Sequence, residues 1–89
     1  MIEFDVEINH PVGLYASLAD GLVTLANRYD ATVTLGYQER EVSMKSLMGV
    51  ISLGVPCQGI VHLRIEGREA KELKQSIDLF LKDMMSFFS

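Results

Sequence analysis

The chain has 89 residues, of which 48% are apolar and 22% charged, with a formal net charge of −4. That length supports one domain, which buries roughly 60–65% of its unfolded surface and holds a core without metal or disulfide staples. The acidic balance argues against a general nucleic-acid binder, and the lone cysteine, Cys57, excludes an internal disulfide and suits a reducing compartment.

Residues 1–8 alternate, with Ile2, Phe4, Val6 and Ile8 on one face and Glu3, Asp5 and Glu7 on the other, which predicts a half-buried strand. This start has neither the basic n-region nor the apolar h-region of a signal peptide. No run reaches the ~18 apolar residues of a membrane span. A soluble cytoplasmic protein with no membrane partner and no direct nucleic-acid partner is therefore expected.

From about residue 16 to 27, Leu18, Leu22, Leu25 and Ala26 recur at helical spacing, and Asn27 with the YDA that follows predicts a stop. The stretch before it, HPVGLYASLAD (residues 10–20), is a glycine-containing turn running into a helix start, a place that often holds anions. It offers Tyr15 and Ser17 but no cation, and Asp20 adds negative charge to the predicted first turn. Ser17 to Asp20 also reads as a capping-box-like start, with Ser17 bonding the N3 amide.

Alternation returns in TVTLGY, where Val33, Leu35 and Tyr37 share a face, and a polar QER turn leads to EVSM, so 32–44 reads as a hairpin. KSLMGVISLG follows, with Ser46 placed to N-cap a short helix and Gly54 to end it. That helix presents Leu47, Met48 and Ile51 and is too short to bury every apolar side chain. VPCQG is a loop, and IVHLRIE a strand with Val61, Leu63 and Ile65 inward and His62 and Arg64 outward. Ala70, Leu73, Ile77, Phe80, Leu81 and Met84 then mark a long amphipathic helix.

The order is βαββαβα, and one wet sheet face places all the helices over the other, an α+β fold. His10 and His62 read as surface residues with no carboxylate or cysteine at ligand spacing, Cys57 carries no assigned chemistry, and no metal or cofactor is expected. The end, MMSFFS (residues 84–89), either extends the apolar face of the last helix or forms an edge that favours self-association.

YDATVTLGYQEREVSMKSLMGVISLGV (residues 29–55) resembles the central region of the HPr phosphocarrier proteins of Gram-positive bacteria, and the likeness extends over nearly the whole chain. KSLMGVISLG is its most specific part. The resemblance implies an open-faced β-sandwich, a four-stranded antiparallel sheet covered on one face by three helices. The family's first helix begins Gly-[Leu/Ile]-His-x-Arg-Pro, and its histidine accepts a phosphoryl group from enzyme I, with phosphoenolpyruvate as the original donor. Here the stretch reads Gly13, Leu14, Tyr15, Ala16, Ser17, Leu18. Tyrosine stands in the histidine position, serine in the arginine position and leucine in the proline position.

A phenol with an ordinary pKa of ~10 is a poor nucleophile without an activating neighbour, and the absent arginine removes the bidentate cation for phosphate. The segment around Ser46 is intact. The resemblance implies that this serine is the target of the HPr kinase/phosphorylase, with Lys45, Leu47, Met48 and Ile51 as the patch that meets partners, among them a LacI-type catabolite control transcription regulator. The expected function is a regulatory protein of carbon catabolite control, similar to the catabolite-repression HPr-like (Crh-type) proteins. Such a chain is the substrate of a kinase and not itself an enzyme. The alternatives are a binding module of the same fold that is never phosphorylated and, last, a phosphocarrier using Tyr15.

Overall fold

Six alternating residues build the first strand, β1 (Ile2–Glu7), whose outward side chains are exposed while Ile2, Phe4 and Val6 are half-buried against the core. The computed structural model describes residues 1–86, and the two phenylalanines that follow Ser86 lie outside the described residues. The remaining elements are α1 (Ala16–Arg28), β2 (Thr32–Tyr37), β3 (Arg40–Ser43), α2 (Leu47–Ser52), β4 (Ile60–Glu66) and α3 (Ala70–Met85).

The four strands form one antiparallel sheet in the order β1-β4-β2-β3, so β4 lies between β1 and β2, and β1 and β3 are its edges. Register follows the hydrophobic pattern, because a one-residue slip would turn every inward side chain to water. Phe4 pairs with Leu63 and Leu63 with Leu35, so the inward rows of three strands align. Helices cover that face alone, as the sequence predicts, and the other face carries the charged side chains.

Each helix is held by the stripe it buries. Leu18, Ala19, Leu22 and Ala26 of α1, Val50 of α2, and Ala70, Leu73, Ile77 and Leu81 of α3 are buried. They close over Leu35, Leu63, Ile65 and Met44. Glu72 in the first turn of α3 and Lys82 in its last oppose the helix dipole. Two features fix α1 against α3. Gly21 gives the Phe80 ring its seat, since a β-carbon there would lie 2.1 Å from Cζ. Lower down, the Tyr29 hydroxyl and Ser76 Oγ share a hydrogen bond of 2.6 Å.

Two expectations change at the start of α1. The N-cap is Tyr15, in extended backbone and without a side-chain cap bond. Ser17 is thus the second helical residue, not a cap, and Asp20 falls in the second turn. The reason is the turn before the helix: Gly13 N–H donates to the His10 carbonyl and Leu14 N–H to the Val55 carbonyl, both at 2.9 Å. These bonds fix the chain's entry two residues earlier than the serine. Gly13 is required there, at φ +77° and with the position of a β-carbon only 2.3 Å from the Val55 oxygen.

Candidate functional site

Both places singled out in the sequence lie along α1, at opposite ends. Tyr15 caps its first turn. At its last turn, the Asn27 side-chain amide donates to the Lys45 carbonyl at 3.2 Å, which ties down the residue before Ser46. Twelve residues at 1.5 Å rise separate these ends by about 18 Å.

At the first end, Tyr15 is half-buried and packed against the core. Its ring stacks on His10, with centroids 4.5 Å apart and planes inclined by 27°. His10 is buried, which corrects the expectation of a surface histidine. Its Nδ1 accepts from the Val12 N–H at 3.2 Å, so the imidazole closes its own turn while its face covers the phenol. Spacing alone gave no signal of this, because the contact is made by the fold of a loop. Ser17 is exposed and Leu18 fully buried. Tyr15 is thus held by an aromatic stack and by apolar contacts. No lysine or arginine occurs between residues 9 and 27 to hold an anion against it.

At the other end, Ser46 caps α2 as expected. Its backbone is extended, and its Oγ accepts from the Gly49 N–H at 3.1 Å. The side chain is exposed, as is Lys45 beside it. Ser43 Oγ accepts from the Lys45 N–H at 3.2 Å, fixing the turn that presents the pair. Glycine at position 49 keeps this cap uncrowded, since a β-carbon there would come within 3.2 Å of Ser46 Oγ. Arg40 reaches from β3 to the far end of α2, donating to the Ser52 carbonyl at 2.7 Å, and Gly54, at φ +61°, terminates the helix.

The patch residues divide. Met48 is 76% exposed and Ile51 38%, whereas Leu47 is half-buried and packs on the core. Leu47 thus serves the fold as well as the surface, because the first turn of α2 lies over β3. Val12, 67% exposed in the loop before α1, is a further solvent-facing apolar side chain. Cys57 is exposed and unpaired. Among the described residues no group of three or more His, Cys, Asp or Glu side chains could hold a metal ion, and no helix is long and apolar enough to cross a membrane.

His62 has a setting that linear spacing did not show. It lies on the open sheet face, as expected, but register brings it opposite Asp5 and beside Glu3. Its Nδ1 is 2.7 Å from Asp5 Oδ1 and its Nε2 3.0 Å from Glu3 Oε1. Next to it, the Arg64 guanidinium turns to the opposite side and donates to Glu41 Oε2 at 2.7 Å.

An antiparallel sheet of order β1-β4-β2-β3 with three helices on one face, a helix entered through a glycine turn after β1 and a serine-capped short helix after the β2–β3 hairpin define an open-faced sandwich of the phosphocarrier class. The model of the family described as PTS HPr component phosphorylation site matches residues 2–83, and the chain belongs to this HPr family. The phosphocarrier protein HPr of Xylella fastidiosa (strain Temecula1 / ATCC 700964) is 29% identical over 77 residues, 86% of either chain. Among solved structures, HPr-C-His of Thermoanaerobacter tengcongensis superimposes with a TM-score of 0.89 at 28% identity, covering 97% of both chains. The Bacillus subtilis catabolite repression protein Crh, whose structure is an intertwined dimer with a swapped domain, gives a TM-score of 0.71 at 30% identity. That match covers 93% of this chain and 95% of Crh.

Proposed function

We propose that this chain is a regulatory HPr-like protein of carbon catabolite control, phosphorylated on Ser46 by HPr kinase/phosphorylase and not competent for histidine phosphotransfer. The observation that carries the reading is the contrast between the two ends of α1. One has tyrosine at the family's histidine position, stacked on a buried imidazole, with no lysine or arginine between residues 9 and 27. The other keeps an exposed serine on a formed cap with a lysine beside it.

Phosphate on Ser46 Oγ would place acceptor oxygens against the Gly49 N–H and bring about two negative charges beside Lys45. The fold has no need to change for this. The exposed thioether of Met48 and the edge of Ile51 offer an adaptable apolar contact next to the charge, a combination suited to a partner that reads both. A LacI-type catabolite control regulator is such a partner. The chain acts as substrate and signal, with no catalytic residue of its own and no cofactor.

The test is incubation with the kinase and ATP followed by intact-mass measurement. One added phosphate on the wild type and none on Ser46→Ala is expected; an unmodified wild type refutes the switch and leaves a binding module. In parallel, enzyme I with phosphoenolpyruvate is expected to leave the protein unlabelled. A label on Tyr15 would return the chain to the carriers.

A further inference from the structure

β1 is an edge strand. One side of its backbone pairs with β4 and, among the described residues, the other has no strand beside it, so its hold on the sheet depends on β4 and on what its side chains find there. Its inward residues Ile2, Phe4 and Val6 are only half-buried. Its outward residues are three carboxylates, Glu3, Asp5 and Glu7, side by side on one face of one strand, where like charges repel.

A single imidazole answers two of them. Register places Arg64 directly opposite Glu3, yet the Arg64 guanidinium is engaged by Glu41 of β3. His62 therefore meets both Asp5, at 2.7 Å through Nδ1, and Glu3, at 3.0 Å through Nε2. Ionised carboxylates only accept hydrogen bonds, so both ring nitrogens must donate. A neutral imidazole has one N–H and would aim a lone pair at one of the two carboxylate oxygens. Only the imidazolium satisfies this geometry. We infer that His62 is a proton-operated latch on the edge strand, closed across Glu3 and Asp5 when the ring carries both protons and loosened when it loses one.

The charged surroundings are mixed in sign. Glu7 follows on β1, and Glu66 lies further along β4. Glu39, Arg40 and Glu41 of the β2–β3 hairpin, with Gly36, share with Asp5 and His62 a depression of about 460 Å³ on the open face. Arg40 and Arg64 oppose the carboxylates, but Arg40 is engaged by the Ser52 carbonyl and Arg64 by Glu41. The hydrogen bond to Asp5, then that to Glu3, holds the His62 pKa above its ordinary value of 6.5. A group raised in the folded state contributes fully below about pH 6.5, and its contribution is lost as pH rises through the folded value. The ring is exposed to solvent, so salt weakens the latch.

The experiment follows the imidazole nitrogens and the β1 amides by NMR. Long-range nitrogen–proton spectra of the wild type are expected to show both His62 nitrogens protonated below a midpoint that lies above that of an unfolded-chain histidine. Protection of the β1 amides against hydrogen exchange, corrected for intrinsic rates, is expected to fall about two- to fivefold between about pH 5.5 and about pH 8.5, the range set by exposed ion pairs. His62→Gln is expected to remove that pH dependence, and Glu3→Gln to lower the midpoint while leaving the fold intact. A midpoint at or below the unfolded value overturns the latch. So does an equal pH dependence of β1 protection in His62→Gln.

Discussion

The seat of Phe80 on Gly21 makes a quantitative prediction about how α1 is held in place. Replacing a helix-interior glycine by alanine ordinarily stabilises by about 0.8–1 kcal/mol. At Gly21 the new methyl would meet ring carbons at 2.1 and 2.6 Å, inside contact distance, so the Phe80 ring must give up its seat on α1. Overpacking of this kind costs about 1–3 kcal/mol. The net expectation for Gly21→Ala is a loss of about 1 kcal/mol, or about 4–8 °C in Tm for a domain of this size. Urea and thermal unfolding followed by circular dichroism measure it. The same substitution in a Phe80→Leu background, where the ring edge is gone, should be neutral or stabilising, giving a coupling of roughly 1 kcal/mol between the two sites. A higher Tm for Gly21→Ala in the wild-type background would show that helix propensity alone governs this position and refute the seated ring.

Ser46→Ala should cost about 1 kcal/mol by urea unfolding, since it removes the oxygen that accepts from Gly49 N–H. Tyr29→Phe should cost about 0.5–1.5 kcal/mol, the value of its bond to Ser76, with the fold unchanged by circular dichroism. Gly13→Ala should be the most damaging of these changes, at more than about 2 kcal/mol, because a left-handed backbone and a carbonyl 2.3 Å away both oppose it. Tyr15→His combined with Ser17→Arg should gain acid-labile phosphate from enzyme I and phosphoenolpyruvate, if the backbone of the helix start is all that a carrier site still needs. An unlabelled double variant would show that the His10 stack or Leu18 has altered the site beyond those two side chains.

The elements were legible where one period ruled. Alternation through Ile2, Phe4 and Val6, and again through Val61, Leu63 and Ile65, has one solution that buries the apolar face, and α3 repeats its stripe over four turns. Ser46 was legible because a cap is a local bond, reaching only to Gly49. The start of α1 was not, because Tyr15 is made the cap by Gly13 and Val55, residues on two different loops. His10 looked like a loop histidine, and its burial depends on the ring of Tyr15 folding back over it. His62 was placed on the correct face, but its partners lie 57 and 59 residues away and only strand register brings them together. Gly21 gave no signal, since a small residue inside an apolar stripe reads as a minor defect until the opposing ring is known.

The contact between Gly13 and the Val55–Pro56 loop has a consequence for how a partner recognises this molecule. The segment that starts at Lys45 touches the end of α1 through Asn27, and ten residues later it touches the beginning of α1 through Val55. α2 is thereby strapped alongside α1 at both ends, like a bar riveted twice. Under the function proposed above, a protein docking on that bar would meet the serine and the tyrosine ends as one label whose spacing these bonds set. Changes confined to Tyr15 and Ser17 would then rewrite the address at one end and leave the proposed Ser46 stamp in the same place at the other.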